Sequence, residues 1–62
     1  MKKIKNIKLD GYFKQGEDFF KRGRYNRSLQ FYCCFNVSKR ECDFFNGDVV
    51  VQESSYNEVF NT

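Results

Sequence analysis

Two apolar stripes of the same spacing, separated by a glycine, constrain this chain more than any other feature. Tyr12, Gly16, Phe19 and Phe20 stand at i, i+4, i+7 and i+8, the repeat of one helical face. Lys14, Asp18 and Lys21 fall on the opposite side. Tyr25, Leu29, Tyr32 and Cys33 follow the same spacing. Between the stripes, Gly23 suits the left-handed residue that ends a helix. Asp10 stands where an N-cap would accept a free amide of the first turn. Neither stripe can be buried by its own helix. Two antiparallel helices, over about 11–22 and 25–37, are expected to pack face to face.

The second segment also reads as a strand. Leu29, Phe31, Cys33, Phe35 and Val37 alternate with Gln30, Tyr32, Cys34 and Asn36. That is a period of two, rich in strand-favouring aromatics. Phe45–Asn46–Gly47–Asp48 has the composition of a type I′ hairpin turn leading into Val49–Val50–Val51. On this reading the chain is a small β meander, the alternative to the helical hairpin. Local propensity leaves the two open.

The run from Tyr12 to about Arg40 resembles a single tetratricopeptide repeat, a helix–turn–helix unit of 34 positions. Tyr12, Gly16 and Phe19 match its first aromatic, its small position and its next aromatic. Gly23 and Tyr25 match the turn, and Ser28, Leu29 and Tyr32 match the triplet that packs the second helix on the first. The resemblance tips the reading toward a mainly α fold. It implies a protein-binding module with Phe13, Lys14, Glu17 and Lys21 on the groove-lining face of the first helix. Phe13→Ala is then expected to weaken binding without unfolding the chain. Phe13 and Glu17 occupy places where one subset of the family clamps a carboxylate with Lys and Asn, so that clamp is absent.

Sixty-two residues allow one domain. It divides into a basic arm (1–9), the hairpin (10–40) and an acidic C-terminal segment (41–62). Ile4 and Ile7 share a helical face, whereas Ile7 and Leu9 share a strand face, and the pattern does not decide between them. Ser38–Lys39–Arg40–Glu41 and Ser55–Tyr56–Asn57–Glu58 are capping-box patterns. The first would start a short third helix and the second a last turn. Val49 to Val51 is expected to be extended.

Residues 1–40 hold all 11 Lys and Arg against three acids, and residues 41–62 hold five acids and no base. Such asymmetry fits a basic binding surface with an acidic tail, or two halves that neutralise each other within one fold. Lys21, Arg22, Arg24 and Arg27 form a basic cluster at the proposed turn, with Tyr25 among them. Lys2, Lys3, Lys5 and Lys8 form a second basic stretch, which could be a flexible arm ordering on a partner.

Enzyme chemistry is not expected. The chain has no His, so the common general base near neutral pH is missing. No phosphate loop or nucleophile elbow appears. Cys33, Cys34 and Cys42 read as reduced thiols, and neither a metal nor a cofactor is expected. MKKIKNIK lacks the apolar core of a secretion signal, and no stretch reaches about 18 apolar residues, so a cytoplasmic chain that spans no membrane is expected. The first functional reading is a non-enzymatic interaction module or small subunit docking on a larger complex or on a second copy. The alternatives are a basic RNA- or ribosome-associated factor, whose affinity would fall steeply with salt, and a viral or mobile-element inhibitor of a host protein.

Overall fold

Alternation, not helical periodicity, governs this chain. The structure, a computed structural model that describes residues 1–60, is a curled antiparallel sheet of seven strands, a small half-barrel. The strands are β1 (Lys2–Lys3), β2 (Tyr12–Gln15), β3 (Asp18–Lys21), β4 (Tyr25–Asn26), β5 (Phe31–Asn36), β6 (Glu41–Phe45) and β7 (Val50–Ser54). Their order is β1-β7-β2-β3-β5-β4, with β6 on β5. Among the described residues, helix is confined to a 3-10 turn at Ile4–Asn6 and to α1 (Tyr56–Phe60).

The tetratricopeptide-like helical hairpin is therefore incorrect, and the β meander is the reading that fits. Phe19 and Phe20 show why. On a helix they share a stripe, but in β3 they point to opposite faces, and Phe20 alone enters the core. Tyr12 and Phe13 part in the same way on β2. Phe13 is fully buried, stacks on Phe20 at 5.2 Å and meets the edge of Phe45 at 5.8 Å. Ile4, Ile7, Cys34 and Val51 complete the core.

The basic arm closes this core. In a 3-10 turn residues three apart lie on one side, so Ile4 and Ile7 both point inward and are 0% and 1% exposed. Lys2 and Lys3 pair with Val51 and Val50 of β7. The arm is thus built into the sheet by the very segment that carries the acids. Lys2 meets Glu53 at 3.1 Å, and Lys5 and Lys3 meet Asp48 at 3.0 and 3.7 Å. The Asp48 carboxyl is held below its usual pKa, first by the Lys5 hydrogen bond and charge and then by Lys3. Of the acidic segment 41–62, the last two positions lie outside the described residues.

Turns that the sequence reading placed on helices have other jobs. Gly16 sits at φ 63 in the two-residue turn joining β2 to β3, where Gln15 faces Asp18. A positive φ at the first central position is what a type II′ turn requires. The loops 27–30 and 37–40 repeat one design. Each follows an Asn whose Oδ1 accepts an amide three residues on, Leu29 for Asn26 and Lys39 for Asn36. Each ends on a residue at positive φ, Gln30 at 59 and Arg40 at 58. Ser38 consequently starts no helix; its Oγ accepts the Phe19 amide instead. Asp10 likewise caps no helix but turns at φ 66, its amide bonded to the Arg22 carbonyl. Asn46–Gly47 makes a turn closed by Val49 N–H to Asn46 carbonyl, yet the strands it joins, β6 and β7, pair with other partners. It is no hairpin. The second capping box does form: Ser55 N–H donates to Glu58 Oε1 at 3.1 Å, and Glu58 N–H to Ser55 Oγ at 3.3 Å.

Asn36 is the one buried polar residue among the described residues, 1% exposed. Its Nδ2 donates to Asp18 Oδ2 at 3.1 Å while its Oδ1 accepts the Lys39 amide at 2.9 Å. Asn36→Ala leaves a carboxylate oxygen and a turn amide without that partner. A loss of about 1–3 kcal/mol is expected, read from the urea midpoint; an unchanged midpoint would show that the side chain only fills space.

Candidate functional site

Each strand has a core side and an open side, and the register sorts the side chains between them. Ser54, Tyr12, Lys21, Phe35 and Cys42 form one row across β7, β2, β3, β5 and β6 on the open side. Beside it run Gln52, Lys14 and Phe19, with Val37 bonded to the Phe19 carbonyl at the far end. Phe44, opposite Cys33, extends the face along β5 and β6. Phe35 and Phe44 are 41% and 53% exposed.

The same parity sends the strand carboxylates the other way. Asp18 shares the side of Phe20, Glu41 and Asp43 that of Phe45, and Glu53 that of Val51. Lys14 and Lys21 stay on the open side with the aromatics. Lys14 Nζ lies 5.5 Å from the centre of the Phe19 ring. Asp10, from the preceding turn, reaches Lys21 at 3.8 Å. The result is a sheet face whose own strands contribute cations and rings but no acid.

Helix α1 makes one wall of this face. Tyr56 and Phe60 meet Tyr12 edge-on, with ring centres 6.0 and 5.6 Å apart. A groove of about 380 Å³ opens beside them, lined by Tyr12, Lys21, Phe35, Val37, Arg40 and Phe60. Its floor and walls are rings and a valine. Its cationic rim is Lys21 and Arg40, and Arg40 is without an ion-pair partner among the described residues. A smaller cavity of about 170 Å³ adjoins it, sharing Lys21 and Phe35 and adding Asp10, Arg22, Gly23, Cys33 and Cys42.

The sequence-predicted residues scatter over this architecture. Phe13 is core and cannot touch a partner, because a strand turns it away from Lys14. Lys14 and Lys21 lie on the open face, and Glu17 sits exposed in the β2–β3 turn. The basic cluster is divided. Arg22 tucks its guanidinium 4.3 Å from the Tyr32 ring, whereas Arg24 and Arg27 are exposed around the short strand β4. Sequence reasoning missed Phe35, Val37, Arg40 and Phe60. The available signal was the alternation through β5, which sets Phe35 and Cys33 opposite to Cys34 and Asn36.

The cysteines differ by face. Cys34 is wholly buried in the core, and burial pushes its thiol up, reinforced by Cys33 and Asp43 against the Gly23 amide and Arg22. Cys33 is also raised, by burial first and then by neighbouring Cys42. Among the described residues no group of three His, Cys, Asp or Glu could hold a metal, and no helix is long and apolar enough to cross a membrane. Comparison with protein-family models, curated proteins and solved structures gives no match in any of the three.

Proposed function

We propose that this chain is a non-enzymatic interaction module that seats an acidic segment of another protein on the open face of its sheet. One observation carries the reading: all four strand carboxylates turn to the core side, while Lys14, Lys21 and the exposed rings share the other. An apolar groove with a cationic rim complements a bulky apolar side chain flanked by Asp or Glu. The ring contacts supply affinity and the rim charges supply orientation and encounter rate.

A protein segment fits better than RNA. Nucleic acid requires a track of cations matched to successive phosphates. Here Lys2, Lys3 and Lys5 of the basic arm are engaged by Glu53 and Asp48, and Arg22 of the second cluster lies against Tyr32, so neither basic run offers a continuous track.

The test is selection on the immobilised chain from a randomised peptide library, run beside a randomised single-stranded RNA pool. Peptides with one large apolar residue among acids are expected. Phe35→Ala should lower their affinity about tenfold or more, as for a central ring of an interface. Arg40→Gly removes the charge while keeping a residue at home at positive φ, so a severalfold loss there reads the rim and not the turn. Enrichment of RNA alone, with a steep salt dependence, would overturn the reading.

A further inference from the structure

We propose that Cys33 and Cys42 are a thiol–disulfide exchange site, closing to an intramolecular cross-strand disulfide on reaction with a small disulfide oxidant such as glutathione disulfide. The cysteine pair adjoins the groove, sharing Lys21 and Phe35 with it, but its chemistry requires no partner there.

The register brings the pair together. Cys33 faces Phe44 and Phe35 faces Cys42 on β5 and β6, so the two cysteines are diagonal neighbours on the open side. Both line the 170 Å³ cavity. A diagonal spacing in a flat ladder is long for a disulfide. The twist of an antiparallel ribbon shortens one of the two diagonals, and β6 pairs with β5 alone, so only this one ladder has to adjust for the link to close. Cys34 cannot compete, because it lies on the other side of β5 in the core.

Exposure sets the order of events. Cys42 is exposed and Cys33 half-buried. The Cys42 thiolate attacks one sulfur of the oxidant, forms a mixed disulfide and releases one glutathione thiolate. Cys33 then loses its proton and attacks Sγ of Cys42, expelling the second glutathione. The chain is oxidised by two electrons, the oxidant is reduced by two, and both protein protons end on the two glutathione thiols.

The full chain, reduced and then incubated natively with glutathione disulfide, tests this by thiol titration and peptide mapping. Expected is a monomer lighter by two hydrogens, with Cys33 linked to Cys42 and the remaining thiol of Cys34 reactive only after denaturation. Cys33→Ser should stop at a glutathione adduct on Cys42. A lasting adduct on Cys42 of the unsubstituted chain, a link involving Cys34, a covalent dimer, or no reaction would each overturn the proposal.

Discussion

Phe13→Ala is expected to leave the chain unfolded at room temperature. Phe13 is 0% exposed and is held between the face of Phe20 and the edge of Phe45. Removing a buried Phe ring costs about 3–5 kcal/mol, because lost transfer energy and an unfilled cavity add. A domain of this size has about 3–9 kcal/mol to lose, at roughly 0.05–0.15 kcal/mol per residue, and small chains sit low in such a range. The neighbouring Phe20 and Phe45 would also lose their ring partner. Far-UV circular dichroism and amide dispersion read the outcome. The helical-hairpin reading places Phe13 on the surface and predicts a folded variant; a folded variant with an unchanged urea midpoint would contradict the present fold.

Gly23→Ala is expected to be nearly as severe for a different reason. A Cβ at Gly23 would collide with the Cys33 carbonyl oxygen. That oxygen belongs to the backbone of β5, and the Cys33 amide is bonded to the Arg24 carbonyl at 3.0 Å. Neither side can step aside without breaking the junction of β3, β4 and β5. We expect a loss above about 3 kcal/mol, in the range of overpacked or disrupted cores. Gly16→Ala supplies the contrast. A Cβ there meets open space, so its cost is only the positive φ of 63, about 1–2 kcal/mol. Thermal and urea unfolding of the two variants should rank them clearly. Equal losses would mean that the backbone around Gly23 yields to the added methyl and that the close contact is not what requires glycine there.

The sequence carried both of these features without making them decisive. Gly23 was legible as special, but a glycine kept for a close approach looks the same in sequence as one that ends a helix. Gln15–Gly16–Glu17–Asp18 was a readable type II′ turn, obscured because Gly16 also fits the small position of a helical repeat. The alternation from Leu29 to Val37 was visible and correct for β5. Local pattern left strand and helix open, because pairs such as Phe19–Phe20 fit either until the partner strand is known, and the resemblance to a helical repeat tipped the reading the wrong way. The loops after Asn26 and Asn36 share an Asn-x-Ser pattern ten residues apart, yet Ser38 to Glu41 reads as a capping box when the tertiary bond from Ser38 to Phe19 is unseen. Charge was read better than shape. The neutralisation of the basic arm by the acidic segment was one of two outcomes the asymmetry allowed, and Lys2–Glu53 and Lys5–Asp48 realise it. Of the groove-lining residues, Lys21 was already singled out by its neighbours in sequence. Phe35, Val37, Arg40 and Phe60 come together only through the register of four elements, which no local pattern encodes.

On the proposed function, the open face and not the exposed arginines Arg24 and Arg27 receives an acidic protein segment. Amide-resolved NMR titration of the labelled chain with a glutamate-rich peptide carrying one leucine tests it most directly. Saturable shifts are expected at Tyr12, Lys21, Phe35, Val37, Arg40 and Phe60, and in Phe35→Ala the remaining ones should need about tenfold more peptide while that variant keeps its dispersed spectrum. Shifts confined to Arg24 and Arg27, or an unchanged titration in Phe35→Ala, would contradict it.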